Sequence, residues 1–168
     1  MANSDYRFVK SVYGTDIGLG GPTGDEYVTG SADIDLFPDV QPSEASAGVT
    51  HYRCFYVRYA GSAEATNCKI WFPVVNVDVG TIEVGTGDMN TEAPHITAPG
   101  TTPPPGVAFS NITNFPDRDN GLEVGSGSSS SMTSGDYRAI WLKRTIPAGS
   151  AGDPSEQYRI TFGGESTS

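Results

Sequence analysis

Alternation of apolar and polar residues with period two, broken every few positions by turn residues, is the dominant pattern along this chain. Period two places successive side chains on opposite faces of a strand. The clearest run is 51–59, dense in aromatic and β-branched residues. There Arg53, Phe55, Val57 and Tyr59 fall on one face and Tyr52, Cys54, Tyr56 and Arg58 on the other. Both faces carry large side chains, so the pattern predicts a central strand covered on both sides. A second run, 67–75, contains Ile70, Trp71 and Phe72 and follows after a short turn at Gly61 and Ser62. The two runs together read as a hairpin or a pair of adjacent strands. Pro73 cannot donate to a ladder, so it marks an end, an edge or a bulge. Further strands are expected over 6–13, 32–36, 81–84, 107–110, 122–124, 136–144 and 157–162.

Glycine and proline set the spacing of these elements. Twenty-one Gly and twelve Pro in 168 residues leave no room for long helices. The one helical turn expected is 42–47, where Pro42 stands early and Gly48 closes the segment. Eight or nine short strands separated by turns predict an all-β fold, a single β-sandwich or jelly roll spanning 1–168 with long Gly/Pro/Ser-rich loops. Phe55, Val57, Ile70, Phe72 and Trp141 are the expected core. Three segments read as exposed loops: 18–24, 97–106 and 125–135. The proline-rich 97–106 is expected to be extended and stiff. The uncharged, serine-rich 125–135 is expected to be flexible unless a neighbour orders it.

Charge narrows the partners. Twenty Asp plus Glu stand against ten Lys plus Arg, a formal net charge of -10. A duplex nucleic acid would repel such a surface, so direct nucleic-acid binding is not expected. Between Lys10 and Arg53 there is neither Lys nor Arg, while seven acids fall there, from Asp16 to Glu44. Such a block solvates a surface or faces a basic partner. No apolar run is long enough to cross a bilayer, and the first ten residues lack the apolar centre of a signal peptide. Neither a membrane role nor export by the usual leader is expected.

Chemistry-bearing residues are few. Cys54 and Cys68 each lie in an apolar strand-like run and are expected as free, buried thiols. His51 lies inside the presumed central strand and His95 in a loop, and neither has a nucleophile beside it in sequence. Two Cys and two His spread over 51–95 do not make a zinc site. Asp33 with Asp35, and Asp117 with Asp119, leave a carboxylate pair or a calcium loop open, with an Asp- and Asn-rich turn as the simpler reading of 115–121. The glycines of 18–24 lack the Lys-Ser/Thr ending of a phosphate loop. The expectation is a non-enzymatic protein with no cofactor and no metal.

Several separated pieces carry a resemblance. Leu36-Phe37-Pro38-Asp39-Val40, Glu44-Ala45-Ser46-Ala47-Gly48 and His51-Tyr52-Arg53-Cys54-Phe55-Tyr56-Val57 occur in that order. Leu19-Gly20-Gly21 precedes them, and Trp141-Leu142-Lys143-Arg144-Thr145-Ile146-Pro147-Ala148-Gly149 follows. Together these pieces frame about residues 16–149 and resemble the small β-rich structural proteins of tailed-bacteriophage virions. The resemblance implies a capsid decoration or cement protein on the outer capsid surface of the virion, made in the host cytoplasm. Its implied partners are the major capsid protein and copies of itself, in a homo-oligomer or symmetric assembly. A neck or tail component and a carbohydrate- or host-binding β-sandwich are the alternatives. A cement protein must extend loops or termini over its neighbours. The expected contacts are the N-terminal arm up to Tyr6 and, in the proline-rich loop, Pro99, Thr101, Pro103, Pro104 and Pro105.

Overall fold

A computed structural model describes residues 5–29, 31–32, 36–150 and 156–166. Two antiparallel sheets pack face to face, as the alternating pattern requires of strands with an apolar side to bury. The strands are β1 (Tyr6–Tyr13), β2 (Asp16–Ile17), β3 (Thr23–Thr29), β4 (Ser31–Ala32), β5 (Val49–Tyr59), β6 (Ala65–Val77), β7 (Thr81–Met89), β8 (Ser110–Asn111), β9 (Leu122–Glu123), β10 (Tyr137–Ile146) and β11 (Glu156–Ser166). A short α-helix, α1 (Pro42–Ala47), precedes β5, and a 3-10 turn, Ile112–Asn114, follows β8. The seven-stranded sheet runs β2-β1-β5-β10-β7-β8, with β3 also paired to β1. The four-stranded sheet runs β4-β11-β6-β9.

β5 is central, as its two-faced pattern predicts: β1 pairs on one side and β10 on the other, from Tyr137↔Arg58 to Ile146↔Val49. From His51 to Val57 every side chain is buried, and Arg58 alone of the strand is exposed. Its inner face sends Phe55, Val57 and Tyr59 into the core between the sheets, where they meet Ile70, Phe72 and Phe162 of the opposite sheet. Its outer face sends Tyr52, Cys54 and Tyr56 into a second cluster with Val9, Leu19, Ile96 and Trp141. All five side chains expected in the core, Phe55, Val57, Ile70, Phe72 and Trp141, are at most 1% exposed. Each such side chain contributes about 1.5–3 kcal/mol on burial.

The expected hairpin over 51–75 is not formed. β5 and β6 belong to opposite sheets, so 60–64 carries the chain across the sandwich rather than back along one sheet. Pro73 marks a bulge. Val74 pairs with Arg159 and Trp71 with Thr161, so three steps on β6 oppose two on β11. There the Phe72 N–H leaves the ladder and donates to the Phe115 carbonyl at 2.7 Å.

The serine-rich segment is a loop with 126–129 and 133–135 exposed, as expected, and Ser130 and Met132 buried between them. Its own chain holds it against β6: Met132 exchanges two 2.9 Å hydrogen bonds with Ala65, and the Asn67 and Cys68 amides donate to Ser129 and Ser130. Ser130 Oγ donates to the Cys68 carbonyl at 2.7 Å and accepts from the Gly125 amide at 3.0 Å, so a serine hydroxyl takes up buried backbone groups. Met132 is fully buried.

Other strands shift at their ends. β7 extends to Met89, and of the expected 107–110 strand only Ser110 is paired, in β8. Of the expected 32–36 strand, Ala32 is paired in β4, and the rest up to Asp35 lies outside the described residues. The expected helical turn forms over Pro42–Ala47, with Glu44 Oε1 accepting from the Gln41 amide at 2.9 Å.

Candidate interaction surface

The outer face of β5 cannot be left bare, because Tyr52, Cys54 and Tyr56 would then face water. Two backbone segments cover it, 18–21 and 93–100. β1 pairs with β5 only as far as Phe55, and beyond that point the Cys54 and Tyr52 amides donate to the carbonyls of Gly18 and Gly100, both at 2.7 Å. The covering segments bond each other as well: the Gly21 amide to Ala93 O at 2.9 Å, and the Ile96 amide to Leu19 O at 2.8 Å.

Tyr56 locks this layer. Its hydroxyl donates to the Gly21 carbonyl and accepts from the Ala93 amide at 2.9 Å. Burial pushes the phenol up to about 12, against the pull of the Ala93 amide, so the proton that Gly21 needs stays in place. Ser11 adds a second tie, its hydroxyl donating to Cys54 O at 2.9 Å and accepting from the Gly20 amide at 3.2 Å.

The expected exposed loop at 18–24 is therefore half wrong. Residues 18–21 are buried, and Thr23 onward is strand. Glycine is needed at 20 for approach rather than exposure: φ is +87°, and a Cβ there would lie 1.9 Å from Pro94 O.

The proline-rich loop rises from this base. It turns at 98–99 and again at 105–106, so it is not one extended run, and the Gly100 amide closes the first turn on Thr97 O at 2.9 Å. Pro99, Thr101, Pro103 and Pro105 are exposed, as contact residues would be, whereas Pro104 is buried. Tyr6 is also misplaced as a contact residue. It is 3% exposed, with its ring edge-on to Phe162 at 5.0 Å and tilted against Tyr59 at 5.3 Å. The alternation of β1 turns it into the core. The arm before it, 1–4, lies outside the described residues.

Beside the loop base, His95 stacks on Tyr13 with ring centroids 4.1 Å apart and places Nε2 2.9 Å from Asp16 Oδ2. Tyr13 and Ile17, on the β1–β2 hairpin, are each 54% exposed, the large apolar side chains of the described residues that face water most. Nothing in the sequence spacing links residues 13, 16 and 95; the covering segment brings them together.

His51 is 1% exposed, with Nε2 3.3 Å from Glu44 Oε2 and Nδ1 3.2 Å from an Arg144 nitrogen. Burial, then the charges of Arg144 and Arg53, hold its pKa below the usual histidine value, and Glu44 pulls the other way. Phe37 lies over the Arg144 guanidinium at 4.8 Å and the Arg53 guanidinium at 6.0 Å. Asp117 caps its own turn, accepting from the Asn120 amide at 2.9 Å. Asp33 and Asp35 lie outside the described residues. Cys54 and Cys68 are free and buried, one in the outer cluster and one in the inner core. Among the described residues no group of three or more His, Cys, Asp or Glu could hold a metal ion. Comparison with protein-family models, curated proteins and solved structures finds no match to this chain.

Proposed function

We propose that this chain is a non-enzymatic structural protein of a tailed-phage virion, a decoration or cement protein on the outer capsid surface that binds the major capsid protein and further copies of itself. The observation that carries the reading is the proline-rich loop: four exposed contact residues, Pro99, Thr101, Pro103 and Pro105, stand on a base tied to the central strand through Gly100 and the Tyr56 hydroxyl. A loop held in place before contact loses little conformational entropy on binding, which is what a subunit gripping a shell at many equivalent sites requires. The exposed Tyr13 and Ile17 add apolar anchor area beside it. The net charge of -10 fits a basic receiving surface. The jelly-roll form of the sandwich belongs to the same proposal and is supported by the chain passing between the sheets after β3, β4, β5, β6, β8, β9 and β10.

Cryo-electron microscopy of the phage particles assembled in cells that produce this chain tests the proposal. The expected density lies on the outer shell and bridges capsid subunits through 97–106. Density confined to the neck or tail would overturn the cement reading in favour of a connector or tail component, and a particle lacking the chain altogether would overturn the virion reading.

A further inference from the structure

We propose that the Arg53 guanidinium, at the foot of the proline-rich loop, binds one external carboxylate. Arg53 is 8% exposed, and the charges around it do not balance it. Burial, then the repulsion of Arg144 on β10, hold its pKa below the usual arginine value. Glu44, the carboxylate of this end of the sandwich, answers His51 instead, Oε2 to Nε2 at 3.3 Å. No Asp or Glu among the described residues pairs with Arg53. A cation taken nine-tenths out of water is rarely left so, because an unpaired buried charge is costly.

The neighbours of the guanidinium fix its plane and leave one edge of it open. Nη1 donates to Tyr52 O at 2.8 Å and lies so near Gly100 that a Cβ built there would stand 2.2 Å from it. The Phe37 ring flanks the group, its centroid 6.0 Å from Cζ. Nε and Nη2 remain, with no hydrogen-bond partner among the described residues. Neither is among the buried side-chain atoms that are both closed to solvent and without a partner, so both stay within reach of solvent. Nε and Nη2 share one edge of the guanidinium and aim two parallel N–H groups outward, at the spacing of the two oxygens of a carboxylate. One fork suits one carboxylate. A phosphate dianion, with more oxygens to satisfy, would call for further donors, and Arg144 Nη2 is already held by Pro38 O at 2.7 Å and His51 Nδ1 at 3.2 Å. Pro99 and Thr101, exposed on either side of Gly100, place the fork beside the loop. The carboxylate can arrive as a free anion or on an acidic side chain of a neighbouring protein chain, and the fork is the same for both. This site goes beyond the virion proposal and stands on the chain alone.

The test uses the full, ¹⁵N-labelled chain and follows two resonances, the Arg53 Nε–H, assigned by its loss in Arg53→Lys, and the Gly100 backbone amide beside it. Sodium acetate, acetyl-aspartate amide and inorganic phosphate are titrated separately, with chloride holding the ionic strength constant. At least one carboxylate is expected to shift both resonances saturably, with a Kd of about 1–10 mM, the range for a very small ligand. Arg53→Lys keeps the charge but has no fork, and its Gly100 amide is expected to report binding at least ~10-fold weaker. Acetate binding as tightly as acetyl-aspartate amide, or more so, supports the site and assigns it to a free carboxylate; at least ~3-fold tighter binding of acetyl-aspartate amide supports it and assigns it to an acidic side chain of a neighbouring chain. The anion comparison is made on the native chain and holds even if Arg53→Lys fails to fold. The proposal is overturned if neither carboxylate shifts the Arg53 resonance saturably, if phosphate binds more tightly than both, or if a folded Arg53→Lys binds as the native chain does.

Discussion

Replacing Tyr56 by Phe removes one oxygen atom and leaves the ring in place. The Ala93 amide, in a residue 4% exposed, then loses its acceptor, and the buried Gly21 carbonyl loses its donor. An orphaned buried group costs about 1–3 kcal/mol, and the Gly21–Ala93 backbone bond that remains limits how far the segments can part to admit water. The expected loss is therefore about 2–4 kcal/mol, read as a lower urea midpoint at unchanged slope. At 2–4 °C per kcal/mol for a chain of this size, a loss of ~3 kcal/mol lowers Tm by about 6–12 °C. Tyr59→Phe is the internal comparison, since its hydroxyl donates to Ala63 O at 2.6 Å and also bonds the Ser166 side chain, away from the outer layer, and its loss should cost about 1–3 kcal/mol without touching the Ala93 amide. Amide exchange locates the effect: the Ala93 amide should lose protection in Tyr56→Phe and keep it in Tyr59→Phe. A loss below about 0.5 kcal/mol, or unchanged protection at Ala93, would refute the view that this hydroxyl clamps the outer layer.

Two further outcomes follow from the same layer and its flank. Gly20→Ala should destabilise by more than ~3 kcal/mol, because a β-carbon 1.9 Å from Pro94 O meets rigid backbone, whereas Gly106→Ala, at φ +73° with open space around it, should cost about 1 kcal/mol in the same urea titration. His51 is held below its unfolded pKa by burial and by Arg144 and Arg53, with Glu44 opposing, so near and below pH 6.5 the unfolded chain binds more protons than the folded one. Its contribution is then complete above pH 6.5 and lost as the pH falls toward the folded value; His51→Gln should flatten the slope of stability against pH from 7.5 to 5.5, and an unchanged slope would assign it to other groups.

Much of the fold was legible because the strands are dense in side chains that only a two-faced sheet can bury. Phe55 and Val57 on one side of 51–59, with Tyr52, Cys54 and Tyr56 on the other, require cover above and below, and both layers exist. Pairing was not legible. The alternation says which way each side chain points, but the direction taken at 60–64 decides whether 65–77 continues the sheet or faces it, and no side chain there encodes that choice. Glycine misled in one instance: at 18–21 it reads as a turn signal, yet it serves close packing against Pro94. Serine misled in another, since Ser130 uses its hydroxyl as a substitute for backbone pairing. The candidate surface was half visible. Prolines mark the loop, but its anchor is a tyrosine that the pattern assigns only to a buried face, and the union of Tyr13, Asp16 and His95 depends on a crossing segment with no local signature.

The two thiols have a consequence of their own. Cys54 and Cys68 lie in separate apolar layers, and burial raises both, Cys68 to about 11 and Cys54 further. At neutral pH neither is a thiolate, and with a sheet's thickness of side chains between their layers neither can reach the other to oxidise. The folded chain is thus indifferent to redox history: passing from glutathione-rich to air-equilibrated surroundings leaves its covalent structure, and so its stability, unchanged.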